Sequence, residues 1–140
     1  MHLDIDALEA SFDLLAPRGE ELVETFYARL FAAAPSVRPL FTGDQRRQRA
    51  MLLQALVLVR RSLRDLDALV PVLRKLGARH VAYGARPEHY SVVADVLIAS
   101  MAELAADAWC ERYGLAWDRA LDVVAGAMLA GAAEASLKAA

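Results

Sequence analysis

The 140-residue chain has a single cysteine, Cys110. That rules out an intrachain disulfide framework and a zinc site built on thiolates. Cys110 follows Trp109 and is expected to be a buried or half-buried passive thiol. Histidine is also scarce: only His2, His80 and His89 occur, and the last two are separated by a turn, so a His-rich metal cluster is implausible. No Gly-x-Ser-x-Gly, His-Glu-x-x-His or Gly-rich phosphate loop is present. Net charge is only −2 and Lys/Arg are scattered, with no basic stripe interleaved with aromatics, so nucleic acid is not an expected partner. The segment 1–6 lacks the basic and apolar regions of a secretory leader. The longest weakly charged run, 123–133, is too short to span a membrane. A soluble, cytoplasmic protein is expected.

What is abundant is apolar side chain, 57% of the residues, enough to enclose a cavity or cover a sizeable interface. The apolar residues recur with a helical period and never alternate cleanly, which predicts one all-α domain over 1–140. A first helix follows Asp4 or Asp6 as N-cap and carries Ile5, Leu8, Phe12 and Leu15 on one face, until Pro17 and Gly19 break it. A second runs over about 18–34. Pro35, Pro39 and Gly43 then make a tight corner with a short helix inside it. A third starts near Asp44, with Leu52, Ala55, Leu56 and Val59 inward. Residues 63–68 read as a short charged connection. A fourth helix covers 69–84 with Leu69, Leu73 and Leu76 on its stripe. Pro87 and Glu88 open a fifth. Residues 107–114 read as a polar, aromatic break, and the last helix covers roughly 115–138. Alanines and glycines in that helix allow another helix to approach closely. The expectation is six long helices and one short corner helix around one core.

Several side chains on this framework admit two readings. His80 continues the Leu69–Leu73–Leu76 stripe, and is either a core histidine with a local hydrogen bond or a ligand aimed into a buried site. Tyr27 lies within the apolar face of the second helix, as a core tyrosine bonded to a backbone carbonyl or as a phenol donor aimed into a pocket. Phe41 ends the corner and either plugs the core or stacks on a flat ligand. Gln48 sits one turn before Leu52, solvated or facing inward with it. His89 falls in a first helical turn, exposed or capping. The arginines at 46, 47, 49, 60, 61 and 64 are accounted for by a solvated face.

Taken together, the segments 25–31 and 35–41, Gln48 with Leu52, Leu76-Gly77-Ala78-Arg79-His80, Tyr83-Gly84 and His89-Tyr90 resemble the globin family. The similarity is to bacterial single-domain haemoglobins and to the globin domain of flavohaemoglobins, and covers nearly the whole chain. It implies a globin fold around a haem pocket, with haem b (iron protoporphyrin IX) as cofactor and His80 as the ligand to iron. Phe41 would stack on the porphyrin, Tyr27, Gln48 and Leu52 would line the distal side, and Tyr90 would help orient His80. A phenol or amide donor in a dry pocket would steady a partly negative bound gas, and Leu52 would exclude water. The family's usual carboxylate partner for the histidine falls at Ala132 here, and Glu134 lies on the wrong side of the helix to replace it. Arg47, Arg79 and Arg86 are candidates to meet the propionates. The implied activity is reversible binding of dioxygen and other diatomic gases, for oxygen transport or for nitric oxide dioxygenation with a separate reductase. The alternatives are a gas sensor and a haem-free interaction module, as monomer or homodimer.

Overall fold

The computed structural model describes residues 2–139. Six α-helices carry the chain: α1 (Ile5–Leu15), α2 (Gly19–Ala33), α3 (Gln45–Arg61), α4 (Leu66–Ala82), α5 (Pro87–Ala105) and α6 (Glu111–Ala139). A 3-10 segment, Pro35–Leu40, forms the expected corner, and single 3-10 turns occupy Ala16–Arg18 and Ala106–Ala108. The all-α architecture of six long helices and a corner helix is therefore as the periodicity predicts.

The starts of these helices follow from their first residues. Asp4 accepts from the Ala7 N–H at 3.2 Å, and Asp44 accepts from the Arg46 N–H at 2.9 Å. Each satisfies one of the amides that a helix start leaves unpaired. At α5, Pro87 needs no amide partner, and His89 Nδ1 accepts from the Arg86 N–H at 3.0 Å. His89 is thus a capping residue.

Helix α4 lies along α6, which also packs on α5 and α1, while α2 packs on α5 and α3. No extensive packing joins α3 to α4 among the described residues. Two glycines set the α4–α6 distance. A Cβ on Gly77 would overlap the Met128 carbonyl, and one on Gly131 would overlap the Arg74 carbonyl. The two backbones touch here, as the small residues of the last helix suggested. Trp117 is 1% exposed, and its indole N–H donates to Ser11 Oγ at 2.8 Å. Ser11 in turn donates to the Ala7 carbonyl at 2.7 Å, so the one polar tip in this part of the core is satisfied. On the outside, Arg60 of α3 and Arg64 in the turn after it clamp Glu9, Asp13 and Asp6 of α1. These guanidinium bonds hold the Glu9 and Asp13 carboxyls below the usual carboxylate range.

The structure revises four expectations. Helix α4 begins at Leu66, not Leu69, because Leu66 joins Leu63, Leu69 and Leu73 around a small apolar cavity against α6. Pro71 is carried inside the helix, lacking only the amide that would reach Asp67. Helix α6 begins at Glu111, since Trp109 and Tyr113 meet edge to face at 5.7 Å and the buried Ala116 and Trp117 anchor the second turn. Cys110 is exposed, because Trp109 takes the inward place beside it. Finally, α6 contains a window long and apolar enough to cross a membrane by length and composition. The helix packs on α1, α4 and α5, and 17% of that window is buried.

Two substitutions test this packing in urea unfolding. Gly77→Ala should destabilise by about 1–3 kcal/mol, because the added methyl has only backbone to meet. Ala106 sits at φ 50°, a strained conformation for a side-chain-bearing residue, so Ala106→Gly should stabilise by about 1 kcal/mol.

Candidate functional site

The lack of extensive α3–α4 packing leaves these helices as two walls, and the residues singled out from the sequence distribute over them. On one wall α2, the corner and the start of α3 bring Tyr27, Phe41 and Gln48 together. The Tyr27 ring meets Phe41 edge-on at 5.4 Å and Phe26 at 5.1 Å, and lies 5.8 Å from Phe31. Phe31 and Phe41 are themselves 5.3 Å apart. Three of these four pairs set an edge against a face, and Tyr27–Phe31 is tilted at 33°. The Tyr27 hydroxyl points at the backbone carbonyl of Gln48 at 3.5 Å. That distance is the outer limit of a hydrogen bond and leaves the phenol weakly engaged. Burial raises the Tyr27 pKa, partly offset by the nearby Arg49 cation, so the hydroxyl keeps its proton at neutral pH and acts as a donor. Leu52, one turn beyond Gln48, is half-buried against the core.

On the other wall His80 occupies the last turn of α4. Its Nδ1 lies 2.8 Å from the Leu76 carbonyl. A carbonyl can only accept, so Nδ1 carries a proton, and in the neutral ring the lone pair then lies on Nε2. The ring is half-buried and meets Tyr83, which is 56% exposed, at 5.6 Å. Just beyond, Gly84 turns the chain at φ +89°, and the Ala85 N–H returns to the His80 carbonyl at 3.0 Å. Only glycine enters this left-handed region without strain. The two walls meet here: a Cβ on Gly84 would stand 3.1 Å from Leu40, the residue before Phe41.

Tyr90, in the first turn of α5, is half-buried, and burial raises its phenol pKa. The partner that holds the His80 ring is the Leu76 carbonyl, which no side-chain pattern could reveal. Glu134 is engaged by Arg74, in keeping with its position on the wrong side of α6 to serve His80. Sequence reasoning also missed the Tyr83 ring beside His80, although its place three residues on, one helical turn, is the available signal.

The residues fit a haem. A neutral imidazole with a free Nε2 is the protonation state that iron requires, and a tethered second nitrogen is its usual support. Half-buried apolar and aromatic side chains on both walls suit a flat, largely apolar group. The weak Tyr27 bond carries a prediction. Tyr27→Phe should shift the unfolding free energy by less than about 0.5 kcal/mol in urea, since a hydroxyl at 3.5 Å adds little. A loss above about 1.5 kcal/mol would show the hydroxyl to be committed to the core.

The globin family profile matches residues 24–128. The flavohemoprotein of Burkholderia sp. (strain TH2) is 34% identical over 130 residues, covering 85% of this chain and 32% of the relative. That of Bacillus subtilis is 27% identical over 128 residues, with 89% and 32% covered. The chain thus spans about a third of the length of these curated relatives. Among solved structures, an engineered carbene transferase from Rhodothermus marinus, provisionally named a nitric oxide dioxygenase, superimposes with TM-score 0.82 at 27% identity, covering 96% of this chain and 93% of that one. A bacterial globin from Campylobacter jejuni gives TM-score 0.81 at 23% identity, with 93% and 94% covered, a likeness of fold. A profile match over most of the chain, on the same helical architecture, means that this protein belongs to the globin family.

Proposed function

We propose that the chain holds haem b through His80 Nε2, binds dioxygen and nitric oxide on the Tyr27 side, and converts nitric oxide to nitrate when a reductase returns the electron lost in each turnover. The observation that carries this reading is the Leu76 carbonyl on His80 Nδ1, which presents an imidazole already in the ligating tautomer. The flavohemoprotein relatives and the name of the Rhodothermus marinus neighbour lend it support. When bound, haem supplies the iron at which a diatomic gas is taken up. Tyr27 donates from its weakly held hydroxyl, and Gln48 offers an amide from the adjoining turn of α3. Phe41 presents an aromatic wall at the corner, and Leu52 excludes water. The His80 ring is held by a neutral carbonyl with Glu134 committed to Arg74, so its basicity is lower than a carboxylate partner would give. This favours gas binding and nitric oxide chemistry over peroxidase-like chemistry.

Hemin titration of the purified apoprotein tests the ligand assignment. The wild type and His89→Ala should develop a stable Soret band, and His80→Ala should not retain haem. Retention by His80→Ala together with loss by His89→Ala would reverse the assignment. For the donors, Tyr27→Phe and Gln48→Leu should each speed dioxygen release, by roughly tenfold if one hydrogen bond of about 1.4 kcal/mol is lost. Release rates unchanged in both would remove the donor role, and absence of nitrate from the oxygenated protein mixed with nitric oxide would remove the dioxygenase activity.

A further inference from the structure

The charges of this protein are divided between the rim of the site and the rest of the surface. Residues 35–49 and 74–87, which form the corner, the start of α3 and the end of α4, hold eight of the sixteen Lys/Arg but only one of the eighteen Asp/Glu, Asp44. The near-neutral total therefore hides a strongly basic rim on an otherwise acidic molecule. Pairing follows the same division in part: on the rim only Arg74 meets a carboxylate, Glu134, among the described residues, and away from it Arg61, Arg119 and Lys138 meet none. Away from the rim, Arg18, Arg29, Arg60, Arg64 and Arg112 each meet a carboxylate. Arg46, Arg47, Lys75 and Arg79 are exposed and have no carboxylate partner among the described residues. The contact between Gly84 and Leu40 joins the two basic segments into one face. Arg49 acts on the Tyr27 phenol and Arg79 adjoins His80, so this face borders both walls of the pocket.

We propose that this rim is the docking surface for an acidic, soluble electron-carrier protein that supplies the pocket. The inference rests on the proposed haem function, which needs one electron per turnover from a carrier that is itself oxidised by one equivalent. Seven of the eight cations are arginines, whose planar forks suit carboxylates. The cations are spread over three elements rather than along one amphipathic helix, which disfavours a membrane surface. Tyr83, between Arg79 and Arg86, is the one exposed aromatic among the described residues of these segments, too few for the repeated stacking platform of a nucleic-acid site. Unpaired like charges at the mouth of a site raise the encounter rate of an oppositely charged partner, and salt screens the effect.

The test uses the haem-loaded protein with a reduced plant-type [2Fe–2S] ferredoxin, an acidic carrier, as probe. Affinity by calorimetry and the second-order reduction rate should both fall at least tenfold between 20 and 300 mM salt. Arg46→Glu/Lys75→Glu should lower both at least tenfold at 20 mM salt, with the Soret band and reduction by dithionite unchanged. Arg61→Glu/Arg119→Glu, with the same change in formal charge away from the rim, should stay within about threefold of wild type. Equal losses in the two double variants would overturn the proposal, as would salt-independent reduction. So would tighter binding to duplex DNA or phosphatidylglycerol vesicles than to the ferredoxin. Loss of the Soret band in the wild type would instead count against the haem reading itself.

Discussion

The backbone contact between α4 and α6 is the constraint on which the site depends. Where Gly77 meets the Met128 carbonyl and Gly131 meets the Arg74 carbonyl, side chains larger than hydrogen have no room. Close packing of this kind admits little adjustment. It holds α4 against the long helix, while α3 and α4 share no extensive packing among the described residues. The position of His80, three residues after Gly77, follows from that contact. The placement of α4, and of His80 near its end, is thus set by two glycines at the α4–α6 contact, one on each helix.

The second constraint is local. The last turn of α4 ends with Gly84 in the left-handed conformation, and the Leu76 carbonyl is taken by the His80 ring. Both features lie within about one turn of the histidine, so the ring's tautomer and its direction are set by the same helix end. Among the aromatic side chains of α2 and the corner, the Tyr27 hydroxyl makes only a 3.5 Å bond. One wall therefore holds its functional group firmly and the other loosely. That asymmetry is what the proposed function asks of a ligand at His80 and a donor at Tyr27. The charge distribution adds a third layer, with paired ions around α1 and α3 and unpaired cations at the rim.

Much of this was legible in the chain because caps, breakers and apolar stripes are local signals. Asp4 and Asp44 cap the helices they precede, Pro35 and Pro39 make the corner, and Leu69 and Leu73 are buried as their spacing requires. The start of α4 was hidden because Arg64, Asp65 and Asp67 are polar, although Leu66 turns inward among them. The start of α6 was hidden because its first turns are polar and aromatic, with Trp117 needing Ser11 on a distant helix to satisfy its N–H. The exposure of Cys110 depends on which neighbour turns inward. For the site, the residue types and order point to His80, Tyr27, Phe41 and Gln48. The groups that position them are a backbone carbonyl, a left-handed glycine and a helix–helix contact, none of which side-chain type can announce.

The central claim is that His80 Nε2, with Nδ1 protonated toward Leu76, meets the haem iron. Resonance Raman of the ferrous haem-loaded protein with 15N-labelled histidine tests it most directly. The account predicts a single 15N-sensitive iron–histidine stretch in the neutral-imidazole range, lost in the His80 variant supplemented with haem. An imidazolate-range stretch, or no 15N-sensitive iron–ligand band in the wild type, would contradict it.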